Sequence, residues 1–522
     1  MELNITQSNR TKGLSEERRA NKVFISKKLK EAVKQLSTQE EPKDGIFWEI
    51  GQKAPHIKLK QSLFINFLEI NGFHKLYQDK LKLFVRVENN IIKAVTIDHI
   101  KDFVRNHIES LPLYLDEENG VTRYDLLEKV YKAASTYLNE ANLSFIKELK
   151  PKYLRDTKDE GYIFYKNCFV RVTKDAVTYA DYSNLQGHIW ENQQKARNFF
   201  LNEANTTGDF GQLAFNISNK DTKRFECLRS ALGYLLHSHK DQAQTKAIIF
   251  VDEQISQKGE ANGGTCKSLI AKGIEKMKSV WYRGKGYNID KSFAYQGINL
   301  DTQICLLDDV QENFSLEHIF TNITNSLTVE GKGQAAFTIP FEDSPKWLIT
   351  TNYVIGGYGN SYDRRRHIVE FSDHYLNNPK PKEEFGKPLF EWDEEEWNRF
   401  DNFMLSCLQL YLEKGLQEVR VNYEERALLQ TTSEEFVAFM DTQEYNVEHD
   451  VNALKERFLF QNADFYEDKD FNKRKFQGWI RTYTKHKKIL CQGDVTAPGK
   501  KTGGKNAPFE LRNGSAYIKM LY

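Results

Sequence analysis

The chain has 522 residues, a length that at roughly 100–200 residues per domain suggests about three domains. Lys+Arg is 74 and Asp+Glu is 73, a formal charge of +1, which excludes a globally basic nucleic-acid coat but not a local basic patch. Hydrophobic residues at 40% and aromatics at 13% exclude a disordered chain, and no apolar run approaches the roughly 18 residues that a membrane helix needs.

Residues 1–45 are polar and charged and are expected to form a solvated arm, with a surface-helix pattern over 15–36. The opening MELNITQSNR has no apolar signal core, so a cytoplasmic protein is expected. The six cysteines, Cys168, Cys227, Cys266, Cys305, Cys407 and Cys491, form no CxxC pair and read as reduced thiols, not as a zinc site. Residues 46–240 read as an α+β domain. Within it, LKLFVRVENNIIKAVTIDHIKDFVRNHI (81–108) predicts strand, Asn-Asn turn, strand and helix, and GYIFYKNCFVRVTKDAVTYADY (161–182) predicts a second strand pair. From Lys246 the pattern changes to AIIFV (247–251), a glycine-rich loop, a helix over 268–280, then apolar strands TQICLLDDV (302–310) and KWLITTNY (346–353). Short apolar strands alternating with helices predict a parallel sheet covered on both faces, here assigned to 241–380. The acidic run FEWDEEEW (390–397) reads as a boundary, giving a segment of acidic linker and helices over 381–432. A separate C-terminal module is expected over 433–522, with a basic helix (471–489), a Gly/Lys loop (496–508) and a last strand (515–522).

Residues 259–269 read GEANGGTCKSL. Strand, glycine-rich loop, Lys-Ser and helix is the context of a phosphate-binding loop, whose backbone N–H groups and helix N-terminus hold phosphate oxygens. The loop residues expected to hold ATP are Asn262, Gly263, Gly264, Thr265, Cys266, Lys267, Ser268 and Leu269. Lys267 would reach the β/γ-phosphates and Ser268 would ligate Mg²⁺. The strict pattern GxxxxGK[ST] fails twice, at Ala261 and Cys266, so the loop alone also fits a plain turn with a surface lysine. Asp308 and Asp309 end the next apolar strand; Asp308 would complete the Mg²⁺ shell and Asp309 would orient or activate the attacking water. Asn352 ends the third strand, where its amide suits a phosphate or the attacking water. Arg364 and Arg365, in the run Asp363-Arg364-Arg365-Arg366, carry guanidinium forks suited to phosphoryl oxygens. A thiol at Cys266, beside Lys267 at a helix N-terminus, is expected to favour thiolate.

The order GGTCKS, ICLLDD, SLTVEGKGQAAFTIPFEDSPKWLITTN, DRRRHIVEF resembles superfamily 3 DNA helicases, and more narrowly the poxvirus- and phage-type primase-helicase ATPases of the AAA+ class, over about residues 240–375. The resemblance implies an α/β fold: a P-loop AAA+ core with a parallel sheet, an N-terminal helicase-associated domain and a C-terminal winged-helix-like module. It also implies a homo-oligomeric ring, usually a hexamer, with ATP at subunit interfaces and movement 3′ to 5′ on single-stranded DNA. Lys267 and Ser268 match the first motif, Asp308 and Asp309 the second, and Asn352 the sensor. Lys332 matches the DNA-gripping lysine of a pore hairpin, and either Arg364 or Arg365 matches the arginine finger. Cys266 stands where this family has glycine. No paired-acid primase site is found, so primase activity is not carried over, and a separate primase or polymerase is an expected partner.

From Lys473 to Lys505 ten Lys/Arg face only Asp494, a net charge of +9. Lys473, Arg474, Lys475, Arg481, Lys485, Lys500 and Lys501 are the expected contacts to forked or duplex DNA, while Trp479 and Tyr483 are expected to pack inward. The leading expectation is an ATP-dependent helicase of phage or mobile-element replication in a bacterial host. The alternatives are an origin-binding initiator ATPase and a non-hydrolysing DNA-binding ring with a degraded loop.

Overall fold

The computed structural model describes residues 45–51, 56–78, 81–202, 207–254, 264–312, 314–333, 336–355, 360–467, 471–495, 508–512 and 515–521. Residues 1–44 of the expected arm lie outside them. The chain divides into two compact units, Met1–Pro151 and Lys152–Tyr522.

In the first unit, strands Phe73–Gln78, Leu81–Glu88 and Ile91–Val95 form an antiparallel meander. Asn89 and Asn90, at φ 49° and 66°, make the tight turn that their short polar side chains tolerate. Helix Ile97–Ser110 starts at Thr96, whose hydroxyl accepts from the His99 amide, and it buries Ile100, Val104 and Ile108. These pack with helices Gln61–Ile70 and Arg123–Tyr137 around Phe64, Phe67 and Leu126.

The second unit is built on a five-stranded, all-parallel sheet. Its strands are β1 (Ala247–Asp252), β2 (Val280–Arg283), β3 (Ile304–Val310), β4 (Lys346–Thr351) and β5 (Arg366–Phe371), in the spatial order β2-β3-β4-β1-β5. Every residue of β1 is buried, as expected of a central strand covered on both faces. Three of these strands are the apolar runs that the sequence marks. The other two are not marked by apolar runs: β2 is short and ends in Arg283, and β5 opens on Arg366 and His367, both buried. The helix expected over 268–280 ends at Glu275, because Val280 already belongs to β2. Likewise the strand pair expected over 161–182 is three strands, Glu160–Phe164, Phe169–Thr173 and Val177–Ala180.

One hydrophobic core joins segments that the sequence assigns to three domains. It holds Ile163 and Val170, the helix α1 (Thr222–Leu236), the sheet residues Ile248 and Leu306, and Phe400, Phe403 and Leu408 of the helix α3 (Glu394–Lys414). Residues 152–240 therefore share a core with the sheet, and the boundary between units falls at Pro151, not near 240. The acidic run is not a linker: Asp393 caps α3 by accepting from the Glu396 amide, and Glu394–Glu396 fill its first turn, where the helix dipole favours carboxylates. The two helices approach so closely that a Cβ on Gly233 would lie 2.1 Å from the Cys407 carbonyl oxygen, so only glycine fits there.

A second core, from Leu428 to Met520, gathers helices Glu434–Asp441, Val451–Gln461 and α4 (Lys473–His486) against strand Ser515–Leu521. That strand pairs antiparallel with Glu448–Asp450, Leu490–Cys491 and Glu510–Arg512. Trp479 and Tyr483 are buried in this core.

Candidate functional site

Thr265 and Lys267 meet Asp252 at the C-terminal end of β1, the end of the strands where open α/β sheets place ligands. Asn262 and Gly263 lie outside the described residues. Gly264 has φ 121°, and Cys266 caps the helix α2 (Lys267–Glu275) in the left-handed conformation, φ 69° and ψ 14°. The sequence argument that this position favours glycine thus meets a cysteine held at positive φ. The thiolate expectation is overturned: burial pushes the Cys266 thiol up to about 12, outweighing nearby Lys380 and Lys267. Leu269 turns inward against the core and donates its amide to the Cys266 carbonyl at 3.0 Å.

Lys267 is 8% exposed and lies at the mouth of β1. Its ammonium donates to the Asp252 carboxylate, to the Thr265 hydroxyl at 3.0 Å and to the Asn352 side-chain oxygen at 2.8 Å. The Thr265 hydroxyl in turn donates to the same Asp252 oxygen. Burial lowers the Lys267 pKa, with the Asp252 carboxylate opposing the shift. Lys267 and Asn352, 85 residues apart, thus meet.

Asp308 is held on the other side of the loop. Its carboxylate accepts from Thr350 Oγ at 2.5 Å, from Tyr282 at 3.2 Å and from Ser268 Oγ at 3.4 Å. With Ser268, Lys272, Glu275 and Tyr282 it lines a cleft of about 480 Å³. Burial raises the pKa of Glu275 in this cleft. Asp309 diverges from its neighbour. The β3–β4 register shifts between Leu307 and Val310, and Asp309 takes φ 54° there. Its amide donates to Thr350 Oγ1 at 2.9 Å, and its carboxylate pairs with Lys285 at 3.2 Å. A non-glycine residue held at positive φ inside a strand stores strain, a feature that clusters at functional sites. Asp309 faces a separate cleft of about 530 Å³ with Gln311, Glu312 and Tyr353.

Two residues of this site were not anticipated. Asp252 ends β1 as Asp308 and Asp309 end β3, and an acid closing an apolar run was a usable signal. Arg426 lies on the helix Tyr423–Thr431, donates to the Asn352 carbonyl at 3.0 Å and is 4% exposed. Burial lowers its pKa against the opposing charges of Asp252 and Glu370. No local pattern marked it.

Arg364 and Arg365 sit at the opposite edge of the sheet. The Arg365 carbonyl accepts from the Ala247 amide at the start of β1, six residues or roughly 20 Å of strand from the Lys267 end. Arg364 is exposed and lines a cleft of about 730 Å³ with Tyr234, Lys246, Asp363 and Tyr411. Arg365 stacks on Phe320 at 4.9 Å and donates to the Ser361 carbonyl. Arg366 is buried and bonded to Ile355 and Asp363, so it packs the strand.

Lys332 is exposed in the turn between strands Leu327–Val329 and Phe337–Ile339, which pair antiparallel. On α4, Lys473, Arg474 and Lys485 are exposed, whereas Lys475 lies over the Phe471 and Trp479 rings and Arg481 over Phe509. Lys500 and Lys501 fall outside the described residues.

No protein-family model and no curated protein matches the chain. Among solved structures, the apo NrS-1 C-terminal region (residues 305–718) is 12% identical, covering 88% of this chain and 99% of that chain at a TM-score of 0.42. Two A-form apo structures of the same region give 13% and 14% identity, cover 88% and 92% of this chain and all of theirs, and share that TM-score.

Proposed function

We propose that this chain is the subunit of an ATP-driven DNA helicase ring acting in phage or mobile-element replication. The observation that carries the reading is the buried Lys267, opening α2 beside the C-terminal end of β1 and bonded to Asn352, with Ser268 and Asp308 next to it. The donor set suits a magnesium nucleotide. Lys267 and Arg426 supply cationic donors for phosphate oxygens, and Ser268 and Asp308 supply the oxygen ligands that a hard cation takes. When bound, Mg²⁺ would neutralise charge on the phosphates. Asn352 would orient the phosphate or the attacking water.

Arg364 and Arg365 lie too far from Lys267 to serve it within one chain. The ring reading gives them a role: an arginine on this edge would complete a neighbouring subunit's site. The Lys332 hairpin would face single-stranded DNA in the pore. The C-terminal module, whose helices pack on an antiparallel sheet, would act as a winged helix, and α4 would offer Lys473, Arg474 and Lys485 to forked DNA.

The test is hydrolysis of ATP with and without single-stranded DNA, alongside strand displacement on a fork. DNA-stimulated hydrolysis and unwinding are expected, both abolished by Lys267→Ala. Hydrolysis without unwinding would favour an initiator ATPase. No hydrolysis by the parent chain, with DNA binding intact, would favour the degraded-loop ring.

A further inference from the structure

Lys267 carries three N–H donors, and three side chains take them all: Asp252, Thr265 and Asn352. A phosphate can therefore reach this ammonium only by displacing one of them. Asp252 is the partner whose charge opposes a phosphate, and it is 2% exposed. Its second oxygen, Oδ2, is buried without a hydrogen-bond partner. Nearby Arg426 has Nη1 in the same condition, and the two residues feel each other's charge. Asn352 lies between them, accepting from Lys267 at its side-chain oxygen and from Arg426 at its carbonyl, and a buried oxygen and a buried N–H left without partners are each costly.

We propose that Asp252 is a latch on the nucleotide site, holding Lys267 in the nucleotide-free chain and passing to Arg426 when a nucleotide polyphosphate takes the lysine. This rests on the nucleotide role of Lys267 and adds a positioning residue to it. In the closed state Asp252 saturates the lysine and repels phosphate. In the open state its carboxylate pairs with a guanidinium that already lies in the site, so the displaced charge is not left buried alone. Thr265, which donates to Asp252 and accepts from Lys267, links the loop backbone to the exchange.

The experiment measures ADP binding with Mg²⁺ to the full chain and to Asp252→Asn, Arg426→Gln and the double variant, with thermal unfolding alongside. Asp252→Asn is expected to tighten ADP at least tenfold, because the competing charge is gone. Arg426→Gln is expected to weaken ADP in the parent by a larger factor than in the Asp252→Asn background, since only the parent needs a cationic donor for the displaced carboxylate. Asp252→Ser, smaller and neutral, gives the same reading if Asp252→Asn does not fold. Equal or weaker ADP binding by both neutral variants, with unfolding temperatures near the parent's, overturns the latch and leaves Asp252 as a support that only orients Lys267. If the parent and every variant bind no ADP, the nucleotide reading itself fails.

Discussion

Cys266 offers a test of whether the loop works in the conformation seen here. At φ 69° a non-glycine residue costs roughly 1–2 kcal/mol, which glycine does not pay. Cys266→Gly removes that strain but adds roughly 0.4–1 kcal/mol of unfolded-chain freedom. It also gives up a partly buried thiol that packs on the main core, worth about 1 kcal/mol. The gain and losses nearly cancel, so Cys266→Gly should stay within about tenfold of the parent in ADP affinity and unfold at nearly the same temperature. Cys266→Asn should behave alike, because asparagine tolerates the left-handed region. Cys266→Val should not, since a β-branched residue at positive φ is a true outlier costing on the order of 1–3 kcal/mol. The strain would fall on the residue before Lys267, so ADP affinity should drop by about tenfold or more. Equilibrium titration of ADP over the series, with thermal unfolding of each variant, makes the comparison. If Cys266→Val binds ADP like Cys266→Gly, the left-handed cap is not part of the nucleotide-binding state. The same structure forecasts a quiet thiol: with its pKa pushed up to about 12, iodoacetamide at pH 8 should label the folded chain at Cys266 far more slowly than the unfolded chain.

Three further outcomes are expected. Arg364→Ala or Arg365→Ala should abolish hydrolysis while ADP still binds, and mixing that subunit with Lys267→Ala should restore some activity; failure at every ratio, with a monomer in solution, refutes shared sites. Lys332→Ala should lose DNA stimulation and unwinding and flatten the salt slope of DNA binding by about one unit per phosphate contact; wild-type unwinding removes this lysine from the translocating contact. Lys195 is buried and its pKa is lowered to about 7, by burial first and by Lys278 and Arg197 after it. Below pH 7 folded and unfolded chains both hold its proton, and the fold bears the full cost. Between pH 7 and about 10.5 only the unfolded chain keeps it, so the parent gains stability as pH rises. Lys195→Met should therefore be more stable than the parent at pH 6, with the difference shrinking towards pH 9; a constant difference refutes the burial argument.

How much of this was legible depends on what kind of information each element carries. β1, β3 and β4 are buried on both faces, so their sequences are continuous apolar runs that no surface pattern imitates. The edge strand β2 alternates Trp281, buried, with Tyr282, exposed, and is too short to show a period. In α3 the charge of residues 393–396 drew the reading towards a linker. Yet Phe400, Phe403, Met404, Cys407 and Leu408 recur at spacings of three and four, which is the mark of a buried helix face. Period was the better guide there, because a carboxylate cluster at a helix start is stabilised by the helix itself.

The candidate site divides the same way. Lys267 and Ser268 open α2 after β1, and Asp308 and Asn352 stand at the ends of β3 and β4, so one sheet topology brings them together. Arg426 is different in kind. Its helix is held beside the end of β4 by Gln430, whose amide donates to the Val354 carbonyl and accepts from the Val354 amide, and by Tyr423, which donates to the Ile355 carbonyl. Those bonds join segments about seventy residues apart, so the arginine's place depends on tertiary contacts that no local spacing encodes. It follows that breaking the Gln430 pair should disturb the site without touching it. Gln430→Leu removes both bonds to Val354 and leaves a backbone amide and carbonyl unpaired, a loss on the order of 1–3 kcal/mol. If Arg426 acts on nucleotide, Gln430→Leu should weaken ADP binding in the parent and have little further effect once Arg426→Gln is present. Equal losses in both backgrounds, measured by the same titration, would show that Gln430 stabilises the fold alone and that Arg426 does not act through this helix.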